Sequence, residues 1–179
     1  MTETLRLCLD LNIWCAALLA SVKGREGTSC QTLVDIVRQG SCLAGKVELL
    51  ISWGMLNRLQ EVLENRPQFQ VLQDDAVFYL EVIRSYAQLG TQLTLGGTGV
   101  IPIEDWDDRH VLETAVAGGA TALVTANFRD FLVKDLRVII PQRHGIYRSA
   151  ACSFHLVHPY LMVNWINRGK VPLVSDFYE

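Results

Sequence analysis

The stretch Leu5-Arg6-Leu7-Cys8-Leu9-Asp10-Leu11-Asn12 decides how the rest of the chain is read. Its first five residues form a short apolar run, and Asp10 and Asn12 end it with polar groups. A brief apolar run bounded by polar residues reads as a strand buried in a sheet. The residues that follow, Ile13 to Ser21, are almost wholly apolar over a longer span and read as a deeply packed helix. In an α/β protein the C-terminal ends of parallel strands face one common crevice. Asp10 therefore stands at the edge of that crevice.

Working outward, the same alternation recurs. Lys23 to Thr28 is a polar, glycine-bearing loop, and Ser29 is placed to cap a helix with Leu33, Ile36 and Val37 on one face. Lys46 to Ser52 reads as a second core strand, and Ser52 begins a helix with Met55, Leu56, Leu59, Val62 and Leu63 at helical spacing. Pro67 marks its end region, and Asp74 or Asp75 opens another helix that runs to about Leu89. Gly96-Gly97-Thr98-Gly99 lacks both the Lys-Ser/Thr ending and the glycine order of a phosphate-binding loop. Val100 to Ile103 reads as a short strand, Asp107 to Gly118 as a helix, and Ala122 to Thr125 as a strand. Phe128 to Leu132 makes one helical turn. Leu136 to Ile140 and Ser153 to Val157 are further strands, and Pro159 starts a last helix to Asn167. No repeat or linker interrupts the series. Strands alternating with helices predict one α/β domain over residues 1–179, with a central parallel sheet of four to five strands flanked by helices in three layers.

Bulk properties narrow the class. A chain of 179 residues buries a substantial core without disulfides. Its five cysteines are odd in number, show no C-x-x-C pair, and read as small buried thiols in a reducing compartment. The apolar stretch from Ile13 to Val22 is too short for a membrane span, and acids precede it where a leader would be basic. The expected location is cytoplasmic. The net charge of −3 argues against a constitutive duplex-DNA binder, so any nucleic-acid contact needs a local basic patch or a cation. Arg58, Arg66, Arg109, Arg129 and Lys134 form no run, so the fold itself must assemble such a rim. His155 and His158, three apart beside Pro159, read as structural, and Trp106 reads as loop packing.

Three acidic groups lie far apart in sequence but beside predicted element ends. They are Asp10, then Asp105, Asp107 and Asp108, and finally Asn127 with Asp130 in Thr125-Ala126-Asn127-Phe128-Arg129-Asp130-Phe131. Carboxylates brought together on rigid element ends bind hard cations such as Mg²⁺ or Mn²⁺, which activate water and relieve charge on a phosphodiester. An aspartate phosphatase is a third possibility, but it needs D-x-D, and this chain has Asn12 at the second position.

The order of these motifs resembles the PIN-domain family of ribonucleases. The resemblance rests on Leu7 to Asn12, on Ile51-Ser52 with its helix, on Asp105 to Leu112, and on Leu123 to Phe131, and it spans residues 5 to about 140. It implies a single PIN-like domain over 1–179 with its motifs at about 5–140 and a C-terminal strand and helix at about 153–168, and it gives Arg143 to Cys152 no counterpart. It implies a metal-dependent endoribonuclease that cuts single-stranded RNA, in many members as the toxin of a toxin–antitoxin pair. An antitoxin protein and a homodimer are then expected partners.

By the same resemblance Asp10 matches the first family acid and Asp108 the acid before the central helix. Asp105, Asp107 and Asn127 join them as metal-site candidates. Asn127 lies where many members carry a further acid, and Asp130 is a substitute. Where the family usually has Glu in the helix after Ser52, this chain has Arg58; Glu61 lies three residues later on the same face. Glu61 and Asp130 complete the catalytic set, with Thr125, Arg58 and Arg129 as substrate contacts. The replacement of carboxylates by Arg58 and Asn127 motivates an alternative, a weakened PIN-like module that binds RNA or protein without cutting.

Overall fold

Strand β1 (Leu5–Leu9) sits at the middle of the sheet, and its sequence explains why. Leu7, Cys8 and Leu9 are wholly buried, and only Arg6 reaches solvent along the strand. A computed structural model describes residues 4–65, 73–88, 93–94 and 106–178, with backbone alone at 73–75, 87–88, 93–94 and 106–107. Along the chain come α1 (Leu11–Val22), α2 (Ser29–Gln39), β2 (Ser41–Cys42), β3 (Gly45–Ser52), α3 (Trp53–Asn65), α4 (Gln73–Gln88), β4 (Leu93–Thr94) and α5 (Trp106–Ala117). Then follow β5 (Ala122–Val124), a 3₁₀ turn (Phe128–Phe131), β6 (Leu136–Ile140), β7 (His144–Arg148), β8 (Ser153–Val157), α6 (Pro159–Asn167) and a last 3₁₀ turn (Val174–Phe177).

The strand order is β2-β3-β1-β5-β8-β7-β6, with β4 pairing β3. Strands β4, β3, β1, β5 and β8 run parallel, which agrees with the predicted four to five. Helices flank this centre. On one side of the contact network α2 packs on α1 and α6, and on the other α3 packs on α4 and α5, with α5 laid on β1, β3 and β5. Gly118, just past α5, allows that close approach, because a Cβ there would lie 2.6 Å from Leu50 Cδ1 in β3. Among the described residues no helix is long and apolar enough to cross a membrane. All five cysteines are free, and burial raises the Cys8 thiol far above its ordinary range.

Three local expectations change. Thr28, not Ser29, caps α2: its hydroxyl accepts from Gln31 N–H at 3.2 Å, and the Gln31 side chain accepts from Thr28 N–H at 3.1 Å. This reciprocal pair satisfies two backbone donors at once. Residues 143–152 hold a strand, β7, which pairs antiparallel with both β8 and β6, so the sheet's far edge is mixed rather than parallel. The short strands β2 and β4 also went unforeseen. The predicted strand Val100 to Ile103 and the glycine loop before it lie outside the described residues.

The β7–β8 pair encloses two imidazoles. His144 and His155 are 1% and 0% exposed, against the rings of Trp165 and Phe177. A carbonyl oxygen cannot donate, so His155 Nε2–H donates to Pro172 O at 2.9 Å. Neutral His155 then accepts at Nδ1 from His144 Nε2–H at 3.0 Å. This pair ties the C-terminal segment to the sheet, a structural role that matches the sequence reading of His155.

Candidate functional site

One row of residues crosses four strands: Leu9 beside Val124, Val124 beside Val157, and Val157 beside His144. Asp10, Thr125 and His158 come immediately past the ends of β1, β5 and β8, so they emerge side by side at the crevice edge. The backbone ladder continues for one more residue there, with Asp10 N–H on Val124 O and Thr125 N–H on Val157 O, each at 3.0 Å. Helix α5 leads back into β5, so its first turn lies at the same edge, as does the start of α3 after Ser52.

Asp10 occupies the N-cap position of α1 but makes no side-chain capping bond; its carboxylate turns to the site. It is 4% exposed. Its Oδ2 accepts from Thr125 Oγ1–H at 2.7 Å and from Asn12 Nδ2–H at 2.6 Å. Thr125, fully buried, also accepts from Asn12 Nδ2 at 3.2 Å and from Asn127 N–H at 3.0 Å. The hydroxyl thus uses its one donor and two acceptor sites, which fixes the carboxylate's orientation. Asn12 Oδ1 accepts from Ala126 N–H at 3.3 Å and joins the two loops. Asn127 Nδ2 donates to Asp130 Oδ2.

Burial pushes the Asp10 carboxyl up to about 6, against the pull of the Thr125 hydroxyl and the Leu11 and Asn12 amides, and the Asp130 carboxylate adds to the rise. Ionised Asp10 is therefore costly in the folded protein unless a positive charge arrives. The nearby groups are carboxylate, amide and hydroxyl oxygens, the donor chemistry of a hard divalent cation, so the residues present suit such an ion in kind. Among the described residues no group of three or more acids, histidines or cysteines is close enough to hold one alone.

The structure brings together Asp10, Thr125, Asn127 and Asp130. Asp108 stands half-buried in the first turn of α5 and is already engaged in an interaction. Asp105 lies outside the described residues, and Asp107 is described by backbone alone. Arg58 and Glu61 pair with each other on α3, Nη1 to Oε2 at 2.7 Å, with side chains 41% and 59% exposed. Glu61 lies eight residues beyond the start of α3, about 12 Å along the axis. Arg129 is exposed beside Asn127. Ser52 caps α3, its hydroxyl accepting from Met55 N–H at 3.2 Å.

Asn12 is the site residue that sequence reasoning missed. Its signal was a second polar group two positions after Asp10, where the strand should simply end.

A family model described as PIN domain matches residues 6–129. No curated protein and no solved structure matches the chain. The family match covers well over half the sequence and ends in the 3₁₀ turn just after Asn127, on a fold whose central parallel strands deliver Asp10 and Thr125 to one edge. The chain belongs to the PIN-domain family.

Proposed function

We propose that the protein is a metal-dependent endoribonuclease that cuts single-stranded RNA at the Asp10 crevice. PIN domains are typically nucleases and generally use divalent metals. The observation that carries the finer reading is Asp10 itself, buried yet held in one orientation by Thr125 and Asn12. A carboxylate so placed destabilises the folded protein, which makes sense where a cation uses it.

Asp10 would hold Mg²⁺ or Mn²⁺, assisted directly or through water by Asp108, Asp105, Asp107, Asn127, Asp130 and Glu61. The bound cation supplies an activated water and charge relief on the phosphate. The chain's own part is orientation. Thr125 and Asn12 fix the Asp10 carboxylate, Asn127 secures Asp130, and the apolar row beneath keeps bulk water from the crevice floor. Arg129, with Arg58, would meet the RNA backbone. The toxin of a toxin–antitoxin pair is the biological form of this proposal, acting in the cytoplasm. An antitoxin protein and a second copy of the chain are the protein partners that belong to this proposal.

One observation favours a second reading, a module that binds RNA or protein without cutting. The Glu61 carboxylate is taken by Arg58 where a site ligand would be needed. Calorimetric titration with Mn²⁺ separates the two readings. The nuclease requires binding in the millimolar range or tighter that Asp10→Asn abolishes, and its absence from the parent protein favours the module.

A further inference from the structure

The crevice continues beyond Asn127 into a cleft of about 490 Å³ that has Asn127, Phe128 and Arg129 on one wall and Gln142, Arg143 and His158 on the other. We infer that this cleft is a subsite for a backbone phosphate of single-stranded RNA, a few nucleotides from the bond that is cut. The inference rests on the nuclease reading and extends it to residues outside the family match.

Its first support is position. Strand β7 begins where β8 ends, because His144 pairs with Val157, so the β6–β7 turn returns to the edge that carries Asp10. Arg143 immediately precedes that pair, and its carbonyl accepts from His158 N–H at 2.8 Å. Asp10, Thr125, His158 and Arg143 therefore follow one another across neighbouring strands. At the usual strand spacing of about 4.8 Å, Arg143 lies roughly 14 Å from Asp10 along the crevice edge. A strand of RNA laid along that edge passes from one to the other.

Its second support is chemistry. Arg129 and Arg143 are exposed, and neither makes an ion pair among the described residues. A guanidinium presents several donors in a planar fork suited to phosphate oxygens. His158 Nδ1 accepts from Tyr160 N–H at 3.3 Å, which leaves Nε2 as a donor in the neutral ring. Gln142, held at φ +58° in the left-handed region, adds an amide on the same wall. The cleft thus offers cations and neutral donors next to a site rich in acids. An acidic protein overall needs such a local surface to attract a polyanion. The wall with Arg143 lies beyond the residues matched by the family model, which are 6–129.

The test uses the full chain with Arg143→Gln, an exposed side-chain change that leaves the backbone bonds of the turn intact. Cleavage of a long oligonucleotide and of a dinucleotide is compared with Mn²⁺ present. RNA binding against salt is then followed in an Asp10→Asn background that does not cut. The expected result is a several-fold higher KM for the oligonucleotide with kcat kept, and no change for the dinucleotide. The slope of log affinity against log salt should fall by about 0.7, the loss of one phosphate contact on a single strand, and by about 1.4 when Arg129→Gln is added. A parent that cuts RNA with an Arg143→Gln variant unchanged in KM and salt slope overturns the cleft and leaves the nuclease standing. Equal damage to the dinucleotide also overturns it. A parent that neither binds nor cuts RNA overturns the nuclease reading, and the cleft falls with it.

Discussion

Asp10→Asn should make the metal-free protein more stable. Burial holds the Asp10 carboxyl near 6 in the folded protein, against 3.8 for the free side chain. Below the lower value the group is protonated in both states, and the raised folded value contributes its full stability. As pH rises through 6 that contribution is lost, because the unfolded chain ionises freely while the folded one pays to do so. A difference of about two pH units corresponds to roughly 3 kcal/mol. Asparagine keeps an acceptor for Thr125 and Asn12 but carries no charge, so the variant escapes this loss. The assay is thermal unfolding of parent and variant with a chelator present, over a range of pH. For a domain of this size the variant should melt roughly 6–12 °C higher at neutral pH and above, and the gap should close below about pH 4. Added Mn²⁺ should then raise the parent alone, by mass action on the folded state. A gap that does not change with pH, or a variant less stable than the parent at pH 8, refutes the reasoning.

Thr125→Val removes a hydroxyl that serves Asp10, Asn12 and Asn127 together; it should cost about 1–3 kcal/mol in denaturant titration and lower Mn²⁺ affinity by about 10–100-fold, with Thr125→Ser restoring both. Gly118→Ala puts a Cβ 2.6 Å from the buried Leu50 side chain, and it should lower stability by about 1–3 kcal/mol through overpacking, checked by the same titration. For the buried histidine pair, burial lowers His144 to about 4 and lowers His155 as well. Stability from these rings is full above their ordinary value near 6.5 and is lost as pH falls toward 4. Imidazole nitrogen shifts should therefore show His144 still neutral at about pH 5, and a protonated ring there contradicts the assignment.

The central strands were legible because burial on both faces demands continuous apolar runs, as in Leu7–Leu9, Leu49–Ile51 and Ala122–Val124, each stopped by a polar residue at the crevice edge. Strand β7 was not, since His144-Gly145-Ile146-Tyr147-Arg148 has only two adjacent strand formers between a glycine and polar residues, and its burial comes from β6, β8 and the rings of Trp165 and Phe177. The Thr28 cap is legible in the sequence, for Thr28-Ser29-Cys30-Gln31 carries the S/T-x-x-E/Q signature one residue before Ser29 would cap. In the site, Asp10 and Thr125 announced themselves by standing at strand ends. Asn12 did not, because its role depends on a threonine 113 positions away that only the sheet brings near. Glu61 looked available by helical spacing, but the same i,i+3 spacing pairs its carboxylate with Arg58. The Arg143 wall of the cleft depends on an antiparallel return that no local pattern encodes.

The most direct test of the account is cleavage of single-stranded RNA by the purified chain, with and without Mn²⁺, beside the Asp10→Asn variant shown by its melting curve to be folded. The account predicts internal cuts by the parent only when the cation is present, and none by the variant. An Asp10→Asn protein that cuts as fast as the parent, or a folded, Mn²⁺-loaded parent that leaves RNA intact, contradicts it.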